Sequence, residues 1–281
     1  METPSGASQV LEAPQRTGSA PIHRASHSNL GQRSRRLPDQ QKISNFIKEN
    51  ALQTPFLVVD LNVIDSNYRT LTSRLKMADV YYAVKANPAP EILRLLVARG
   101  SSFDVASPAE IEMVLSAGAS ASRISYGNTI KKERDIAWAY EKGIRLFAFD
   151  SESELLKLSR SAPGAAVFCR ILTTCDGAEW PLSRKFGCEP DMAHNLLLKA
   201  STMGLTPYGI SFHVGSQQTR TDQWGIALSQ AAKLFSSLKH AGVSLAMVNV
   251  GGGLPANYSD DVPSVDAYAT AITQALKNSF G

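Results

Sequence analysis

Lys85 is the residue of this sequence that is best placed for covalent chemistry. It follows the apolar run 80–84, VYYAV, and precedes an Asn-Pro pair at 87–88. A short β-branched and aromatic run that ends at such a break is typical of a buried strand in a parallel sheet. At the end of that strand, partly apolar surroundings would favour the neutral amine, which is a nucleophile toward aldehydes. The alternative is a lysine whose stem lies along the strand while its ammonium reaches solvent.

A histidine and three glycines follow later apolar runs. His213 lies between Phe212 and Val214, so its imidazole is expected on the opposite face of a strand from theirs. Glycines 251–253 leave backbone N–H groups unshielded and free to adopt positive φ, a geometry that binds phosphate. The alternatives are a hydrogen-bonded core histidine and a plain tight turn.

Together these features could bind and react with pyridoxal phosphate. The aldehyde of that cofactor takes a lysine amine, its phosphate takes backbone N–H groups, and its ring takes a flat side chain. We therefore predict that Lys85 bonds to the cofactor, that His213 stacks on its ring and that glycines 251–253 bind its phosphate.

The chain from residue 42 onward alternates short apolar runs with amphipathic segments. The predicted strands are 55–60, 80–85, 102–107, 123–127, 146–150, 166–172, 209–215 and 247–251. The clearest predicted helix covers residues 222–241, where apolar residues recur on one face, and another covers residues 265–280. Ser107 and Glu110 are spaced as the capping box of a further helix, which is a complete structural reason for Glu110.

Repeated strand–helix units of this length predict an α/β fold with a parallel sheet and right-handed crossovers. A (β/α)8 barrel and an open doubly wound sheet both fit that pattern. The open sheet loses support because neither G-x-G-x-x-G after the first strand nor G-x-x-x-x-G-K-[ST] occurs. We therefore predict a barrel with its chemistry at the carboxyl ends of the strands. Polar residues at or near such ends include Lys85, Asp104, Arg170, His213 and Ser216.

The part of the chain that is expected to fold is nearly neutral. Of the net charge of +4, the first 36 residues supply +3, through five arginines against two glutamates. A nucleic-acid surface is therefore not predicted, and no apolar stretch reaches the ~18 residues that span a bilayer. Cys169, Cys175 and Cys188 lack C-x-x-C spacing, so we predict no metal site and a reducing, cytoplasmic location.

The composition divides the chain into three regions. Residues 1–38, rich in Ser, Pro, Gln and Arg, are expected to form a disordered tail. Residues 39–79 are expected to contain a lead-in helix, a strand and a second helix. Residues 80–281 are expected to form the barrel that carries the pyridoxal phosphate site.

Five segments occur in a characteristic order and spacing over roughly residues 50–281. They are YAVKAN at 82–87, FDVAS at 103–107, RKFG at 184–187, SFHVGS at 211–216 and GGG at 251–253. As a set they resemble the eukaryotic-type ornithine decarboxylases, within the fold-type III pyridoxal phosphate enzymes. Diaminopimelate decarboxylases share the lysine, histidine and glycine motifs, but their substrate-loop pattern is not evident in residues 173–186.

The resemblance implies a role for each matching residue. Lys85 is the lysine that bonds to the cofactor, and His213 stacks on the pyridine ring. The other implied cofactor-binding residues are Asp104 and Arg170, near the lysine and the ring hydroxyl, and Ser216, Gly251, Gly252 and Gly253 at the phosphate.

Two parts of the family's pattern do not occur in this sequence. In the family the lysine lies on the first barrel strand, so 247–251 is the seventh strand and 55–60 belongs to a separate β-rich domain. The eighth strand, with its Glu-Pro-Gly-Arg segment, and the C-terminal β-domain are not found before Gly281. We expect an incomplete barrel in a fragment of a longer decarboxylase that is inactive by itself, with a degenerate relative as the alternative.

The resemblance implies pyridoxal phosphate-dependent decarboxylation of a basic amino acid. Ornithine is the favoured substrate, giving putrescine in polyamine biosynthesis, and lysine and diaminopimelate are alternatives. The alternative of another class is a non-catalytic regulatory homologue that binds a partner of the true enzyme, although Lys85, His213 and the glycines argue against it. We expect a homodimer of the full-length protein, with no nucleic-acid or membrane partner.

Overall fold

The computed structural model describes the chain from residue 39 onward, with two short gaps. The described residues are 39–180, 185–256 and 261–281. The tail predicted for residues 1–38 lies outside them, so its disorder stays a prediction. Arg184 of the RKFG segment also lies outside the described residues.

Seven parallel strands form the main sheet. The strands in the described residues are β1 (Tyr81–Ala83), β2 (Ser102–Val105), β3 (Ile124–Tyr126), β4 (Leu146–Phe149), β5 (Ala166–Arg170), β6 (Ala178–Trp180), β7 (Thr206–Ser211), β8 (Ser216–Gln218) and β9 (Met247–Asn249). The order in the main sheet is β1-β2-β3-β4-β5-β7-β9, and every neighbouring pair is parallel. This is the predicted α/β arrangement of a (β/α)8 barrel without its last strand.

Helices follow the strands of the main sheet and cover it. The described helices are α1 (Gln40–Asn50), α2 (Leu61–Arg74), α3 (Pro90–Ala98), α4 (Pro108–Ser116), α5 (Glu133–Glu141), α6 (Glu152–Ser161), α7 (Pro190–Thr202), α8 (Gln223–His240) and α9 (Val265–Phe280). The helices predicted at 222–241 and 265–280 are confirmed as α8 and α9. The predicted cap is confirmed in its first half, because Ser107 Oγ accepts the N–H of Glu110 at 3.3 Å, while Glu110 Oε2 accepts the N–H of Ala106, one residue before Ser107, at 2.8 Å.

The predicted strands extend further at their carboxyl ends than the strands in the structure do. The strand predicted at 209–215 ends at Ser211, and the one predicted at 247–251 ends at Asn249. Phe212 still donates its N–H to the carbonyl of Asn249 in β9 at 3.2 Å, but further along each loop the N–H groups of Gly215 and Gly251 bond to nearby side chains. Gly215 donates to His213 Nδ1 at 3.0 Å, and Gly251 donates to Asn249 Oδ1 at 2.9 Å. The residues that leave the sheet in this way are those of the predicted site.

The strand predicted at residues 55–60 is wrong. The segment between α1 and α2 is not a strand, and Leu57 within it is 82% exposed. An isolated extended segment cannot satisfy its backbone groups, and among the described residues no strand pairs with it. Asp60 instead caps α2, accepting the N–H of Asn62 at 2.9 Å.

Helix α2 links the two ends of the strand order. It packs against α3, which follows β1, and against α9, which follows β9. Arg74 of α2 pairs with Asp266 of α9, Nε to Oδ1, at 2.6 Å. The ring of helices is therefore continuous around a sheet whose first and last strands, in the described residues, are β1 and β9.

Strands β6 and β8 form a second, two-stranded antiparallel sheet that was not predicted. Ala178 pairs with Gln218, and Trp180 pairs with Ser216. Three residues per strand give too short a pattern to recognise in a sequence. The small sheet matters because Ser216 is one of the predicted site residues.

A buried ion pair fixes the loop between β3 and α5. Lys131 Nζ lies 2.9 Å from Glu154 Oε1 and donates to the backbone carbonyls of Asn128 and Ala148 at 2.8 and 2.6 Å. The side chains of Lys131 and Glu154 are 0% and 2% exposed. Replacing Glu154 would leave the buried charge of Lys131 without this counterion, whereas without Lys131 the carboxylate of Glu154 still pairs with Lys157, whose Nζ lies 2.5 Å from Oε2. No helix in the described part of the chain is long and apolar enough to cross a bilayer.

Candidate cofactor site

The predicted site residues meet at the carboxyl ends of the strands in the main sheet. The positive charges of Lys85 and Arg170 both act on Asp104 and on His213. These four residues come from the ends of β1, β2, β5 and β7, which are not consecutive in the chain. The parallel sheet thus brings together side chains from positions 85 to 213, as the barrel prediction required.

Lys85 lies in a 3-10 turn, Val84–Ala86, directly after β1. The turn buries Val84 completely and leaves Lys85 exposed. The position at the strand end agrees with the sequence analysis, but the expected apolar surroundings do not. This is the alternative in which the ammonium reaches solvent, and the amine of Lys85 is accessible at the strand end.

Asp104 is a partly buried carboxyl group next to β1, paired in register with Ala83. Burial raises the pKa of Asp104 to about 6, and the negative charge of Glu110 adds to the rise, while Lys85 and Arg170 oppose it. Gly127, at the end of β3, makes room for this carboxyl. A Cβ on Gly127 would lie 1.9 Å from Asp104 Oδ1, so any side chain there would displace Asp104.

Gly127 was missed by the sequence analysis as a site residue. Its only signal is a glycine at the end of a predicted strand, which is a weak one.

Arg170 ends β5 and is partly buried. Burial lowers the pKa of Arg170, and the carboxylates of Asp150 and Asp104 partly oppose that shift. Its guanidinium carbon lies 5.3 Å from the ring centroid of Phe186. Gly187, next to Phe186, donates its N–H to Asp150 Oδ2 at 2.8 Å. Residues 185–187, the described part of the RKFG segment, therefore pack against the ends of β4 and β5.

His213 follows β7 and is partly exposed between the buried side chains of Phe212 and Val214. This alternation of burial is the pattern expected if the imidazole lies on the opposite side of the chain from its neighbours. Burial lowers the pKa of His213 to about 4, and the charges of Arg170 and Lys85 add to the effect. The ring is therefore neutral at pH 7. Because Nδ1 accepts the N–H of Gly215 at 3.0 Å, the proton of the neutral ring is on Nε2.

The three glycines pass directly against the loop that carries His213. A Cβ on Gly251 would lie 2.2 Å from the carbonyl oxygen of Phe212, and a Cβ on Gly253 would lie 2.3 Å from that of Gly215. Gly251 and Gly253 also have φ values of +72° and +101°, which favour glycine. A Cβ on Gly252 would lie 3.5 Å from His213 Nε2. Close approach thus requires glycine at 251 and 253, whereas a Cβ at 252 would make an ordinary contact, and the plain-turn alternative does not account for this packing.

The N–H groups of the glycines differ in availability. Gly251 donates to Asn249 Oδ1 at 2.9 Å. Gly252 and Gly253 have no acceptor for their N–H groups among the described residues. Ser216 lies close by, because the next residue but one, Gln218, donates its N–H to the carbonyl of Gly253 at 2.9 Å. Two free N–H groups and a nearby hydroxyl are suited to an anion such as phosphate.

A cavity of about 980 Å³ lies outside this arrangement, beside the start of α8. Its lining includes Thr173, Thr174, Asp222 and Lys233, and none of the predicted site residues. The strand ends remain the better candidate for chemistry, because they combine an amine, a neutral imidazole and available N–H groups. In the described residues, no group of three or more His, Cys, Asp or Glu is arranged to hold a metal ion.

The chain matches the family model for the pyridoxal binding domain of pyridoxal-dependent decarboxylases over residues 61–281. It therefore belongs to this family. The predicted resemblance to ornithine decarboxylases and the predicted barrel fold are both confirmed by the comparisons.

Two curated relatives illustrate the range of the family. The lysine/ornithine decarboxylase of Selenomonas ruminantium is 41% identical over 225 residues, which are 80% of this chain and 56% of that protein. Antizyme inhibitor 2 of Xenopus laevis is 32% identical over 240 residues, which are 85% of this chain and 52% of that protein. The chain thus spans about half the length of the curated relatives that it matches.

A solved structure shows the same fold. The lysine decarboxylase of Selenomonas ruminantium, in complex with pyridoxal phosphate and cadaverine, has a TM-score of 0.80 and 35% identity to this chain. The match covers 89% of this chain and 63% of the other. The predicted cofactor, pyridoxal phosphate, is confirmed by this likeness and by the family. The residues present fit it, because the N–H groups of Gly252 and Gly253, which have no acceptor in the described part of the chain, lie beside a flat, neutral imidazole. The individual role of each residue stays a prediction.

We expect the Asp104→Asn variant to be more stable than the unaltered protein at pH 7, by about 1–3 kcal/mol. The folded pKa of about 6 lies above the reference value of 3.8. The folded protein therefore binds more protons between pH 3.8 and 6, and the carboxyl group destabilises it as the pH rises through that window. The advantage of the variant should shrink toward zero near pH 4. Urea unfolding without added cofactor, at pH values from 4 to 7.5, measures it.

The titration of His213 changes the stability with pH in the opposite direction to that of Asp104, because the folded pKa of His213, about 4, lies below the reference value of 6.5. Its contribution is present in both proteins and cancels in the difference between them. A variant that is equally stable or less stable at pH 7 would show that Asp104 is not destabilised by burial.

Proposed function

We propose that this chain carries the cofactor site of a decarboxylase that acts on a basic amino acid, with ornithine as the first substrate and lysine as the second. The observation that carries the proposal is the convergence of Lys85, Asp104, Arg170 and His213 at one end of the sheet, beside glycines 251–253. The names of the relatives support lysine or ornithine as the substrate. Diaminopimelate is a further alternative that no observation favours.

In the proposed site, Lys85 supplies the amine that bonds to the cofactor. Its exposed position after β1 leaves the amine accessible to an incoming aldehyde. Asp104 is a partly buried carboxyl group, and the charge of Lys85 lowers its pKa against the effect of burial. When bound, pyridoxal phosphate supplies a ring that takes up the electrons released as the carboxylate leaves as carbon dioxide.

His213 is proposed to hold the ring flat and not to donate a proton as an imidazolium. Its pKa of about 4 makes the charged form scarce at pH 7. Ser216, Gly252 and Gly253 are proposed to bind the phosphate, with Gly251 shaping the turn through its bond to Asn249. Arg170 adds a partly desolvated positive charge to the same region.

A non-catalytic regulatory protein is the second candidate function. The specific observation in its favour is the 32% identity to a relative named as an antizyme inhibitor. Retention of Lys85, His213 and the three glycines supports the enzyme, because a protein that only binds a partner has no need of an exposed amine beside a phosphate site.

Assembly and location complete the proposal. A homodimer of the full-length protein is proposed from the resemblance alone. A cytoplasmic location is supported by the three cysteines, which are all free thiols. We also propose that residues 1–281 alone bind the cofactor without measurable decarboxylation, because the chain spans about half the length of its relatives.

We expect Lys85→Ala to abolish the absorbance band of covalently bound pyridoxal phosphate. The amine at this position is the one that reaches the aldehyde, so borohydride reduction and peptide mass spectrometry should place the adduct on Lys85. Lys132 is the matched control, since it is exposed and lies on another loop. Lys131 is unsuitable, because it is buried in an ion pair. A retained band and a trapped adduct in Lys85→Ala would refute the assignment.

Release of carbon dioxide from ornithine, lysine and diaminopimelate tests the activity. We expect the complete reading frame that contains this chain to show its highest kcat/KM with ornithine, and Lys85→Ala to reduce release to background. Residues 1–281 assayed in parallel should give no release. Cofactor binding by the complete protein without release from any of the three substrates would favour the regulatory protein.

A further inference from the structure

Gln217 has a backbone conformation that residues with a Cβ rarely adopt. Its φ is +51°, in the left-handed region. Among the described residues, the other non-glycine residue with positive φ is Ala51, which ends α1 far from the site in sequence. A glycine would adopt this conformation freely, whereas for glutamine it is sterically unfavourable. Another contact must therefore stabilise the conformation.

The side chain of Gln217 provides that contact by joining two loops. Its Nε2 donates to the carbonyl oxygen of Ala256 at 3.0 Å, and its Oε1 accepts the N–H of Ala256 at 2.9 Å. A single side chain thus satisfies both backbone groups of a residue that is 39 positions away in the chain. Both bonds depend on the amide, since a carboxylate lacks the donor and an aliphatic side chain lacks both groups.

The two bonds continue a row of contacts that includes the glycine segment. Gln218 donates its N–H to the carbonyl of Gly253 at 2.9 Å. Gln218 is itself fixed, because its Nε2 donates to Val214 and its carbonyl accepts the hydroxyl of Tyr268 at 2.6 Å. Residues 253–256 therefore lie along residues 217–218, and the bonds of Gln217 hold the far end of that row.

Gly253 lies at the other end of the same row and packs against the carbonyl of Gly215, the residue before Ser216, where the phosphate is proposed to bind. A loop that is free to move would have to be ordered by each phosphate that binds, whereas a loop already held in place avoids that cost. A strained residue that persists because neighbouring contacts hold it is also typical of functional sites.

We propose that Gln217 is a positioning residue, which clamps the loop at Ala256 so that the N–H groups of Gly252 and Gly253 face the phosphate of the cofactor. The inference rests on the proposed phosphate site. Gln217 itself is proposed to make no contact with the cofactor. Its replacement should therefore weaken the binding of the phosphate group and leave the reaction of the aldehyde unchanged.

The test compares Gln217→Gly with Ala51→Gly in the full-length protein. Both variants remove a left-handed non-glycine residue, but only the first removes the two bonds to Ala256. Titrations with pyridoxal phosphate and with pyridoxal, which lacks the phosphate, give the affinity ratio for each protein. Amide hydrogen exchange over residues 251–256, without cofactor, reports the order of the loop.

We expect Gln217→Gly to bind pyridoxal phosphate about tenfold more weakly, the effect of losing one or two ordinary hydrogen bonds. Its affinity for pyridoxal should be unchanged and its thermal midpoint equal or higher, because strain is relieved. Exchange at 251–256 should be faster than in Ala51→Gly, which should keep the wild-type ratio. An unchanged ratio in Gln217→Gly, or equal losses for both ligands, would overturn the proposal.

Failure of the proposed function gives a different result. If the unaltered protein binds neither ligand, the cofactor site itself is wrong, and hydrogen exchange alone then decides the clamp. Faster exchange at 251–256 in Gln217→Gly than in Ala51→Gly supports a clamp on this loop, and equal exchange overturns it.

Discussion

The close approach of the glycine segment to the loop after β7 is the constraint on which the rest of the site depends. Carbonyl oxygens of Phe212 and Gly215 occupy the space that side chains at 251 and 253 would need. Two chain segments from neighbouring strands can meet this closely only if one of them lacks side chains. The result is a strip of accessible backbone N–H groups beside His213, which no arrangement of longer residues could provide. Any larger residue at 251 or 253 would force the two loops apart.

Charge organises the other half of the site. Burial favours the neutral forms of Asp104 and His213, and the cations Lys85 and Arg170 act on them in opposite directions. They stabilise the carboxylate of Asp104 and disfavour the protonated form of His213. At pH 7 the region therefore contains a flat neutral ring among fixed charges, as stacking on a cofactor ring requires. The exposed Lys85 completes the set as the accessible amine.

Much of the fold and of the site could be predicted from the sequence, since parallel strands and amphipathic helices have strong local patterns. The helix at α8 has one apolar face along its whole length, and Lys85, His213 and the glycines stand beside recognisable strands. The exposure of Lys85 was one of two alternatives, and the sequence could not decide between them because the outcome depends on a single turn that buries Val84 instead. Gly127 and Gln217 were missed for a related reason. Their roles arise from residues that are distant in the chain, Asp104 and Ala256, and leave no local pattern. The extended segment at 55–60 has the composition of a strand, but a strand also needs a neighbour.

A crystal structure of the protein with pyridoxal phosphate would test the central claim most directly, since the claim concerns the position of three groups around one ligand. We expect continuous electron density between Lys85 Nζ and the cofactor, a phosphate within hydrogen-bonding distance of the N–H groups of Gly252 and Gly253, and the ring of His213 against the pyridine. A cofactor bound away from the ends of β7 and β9, or attached to another lysine, would contradict the claim.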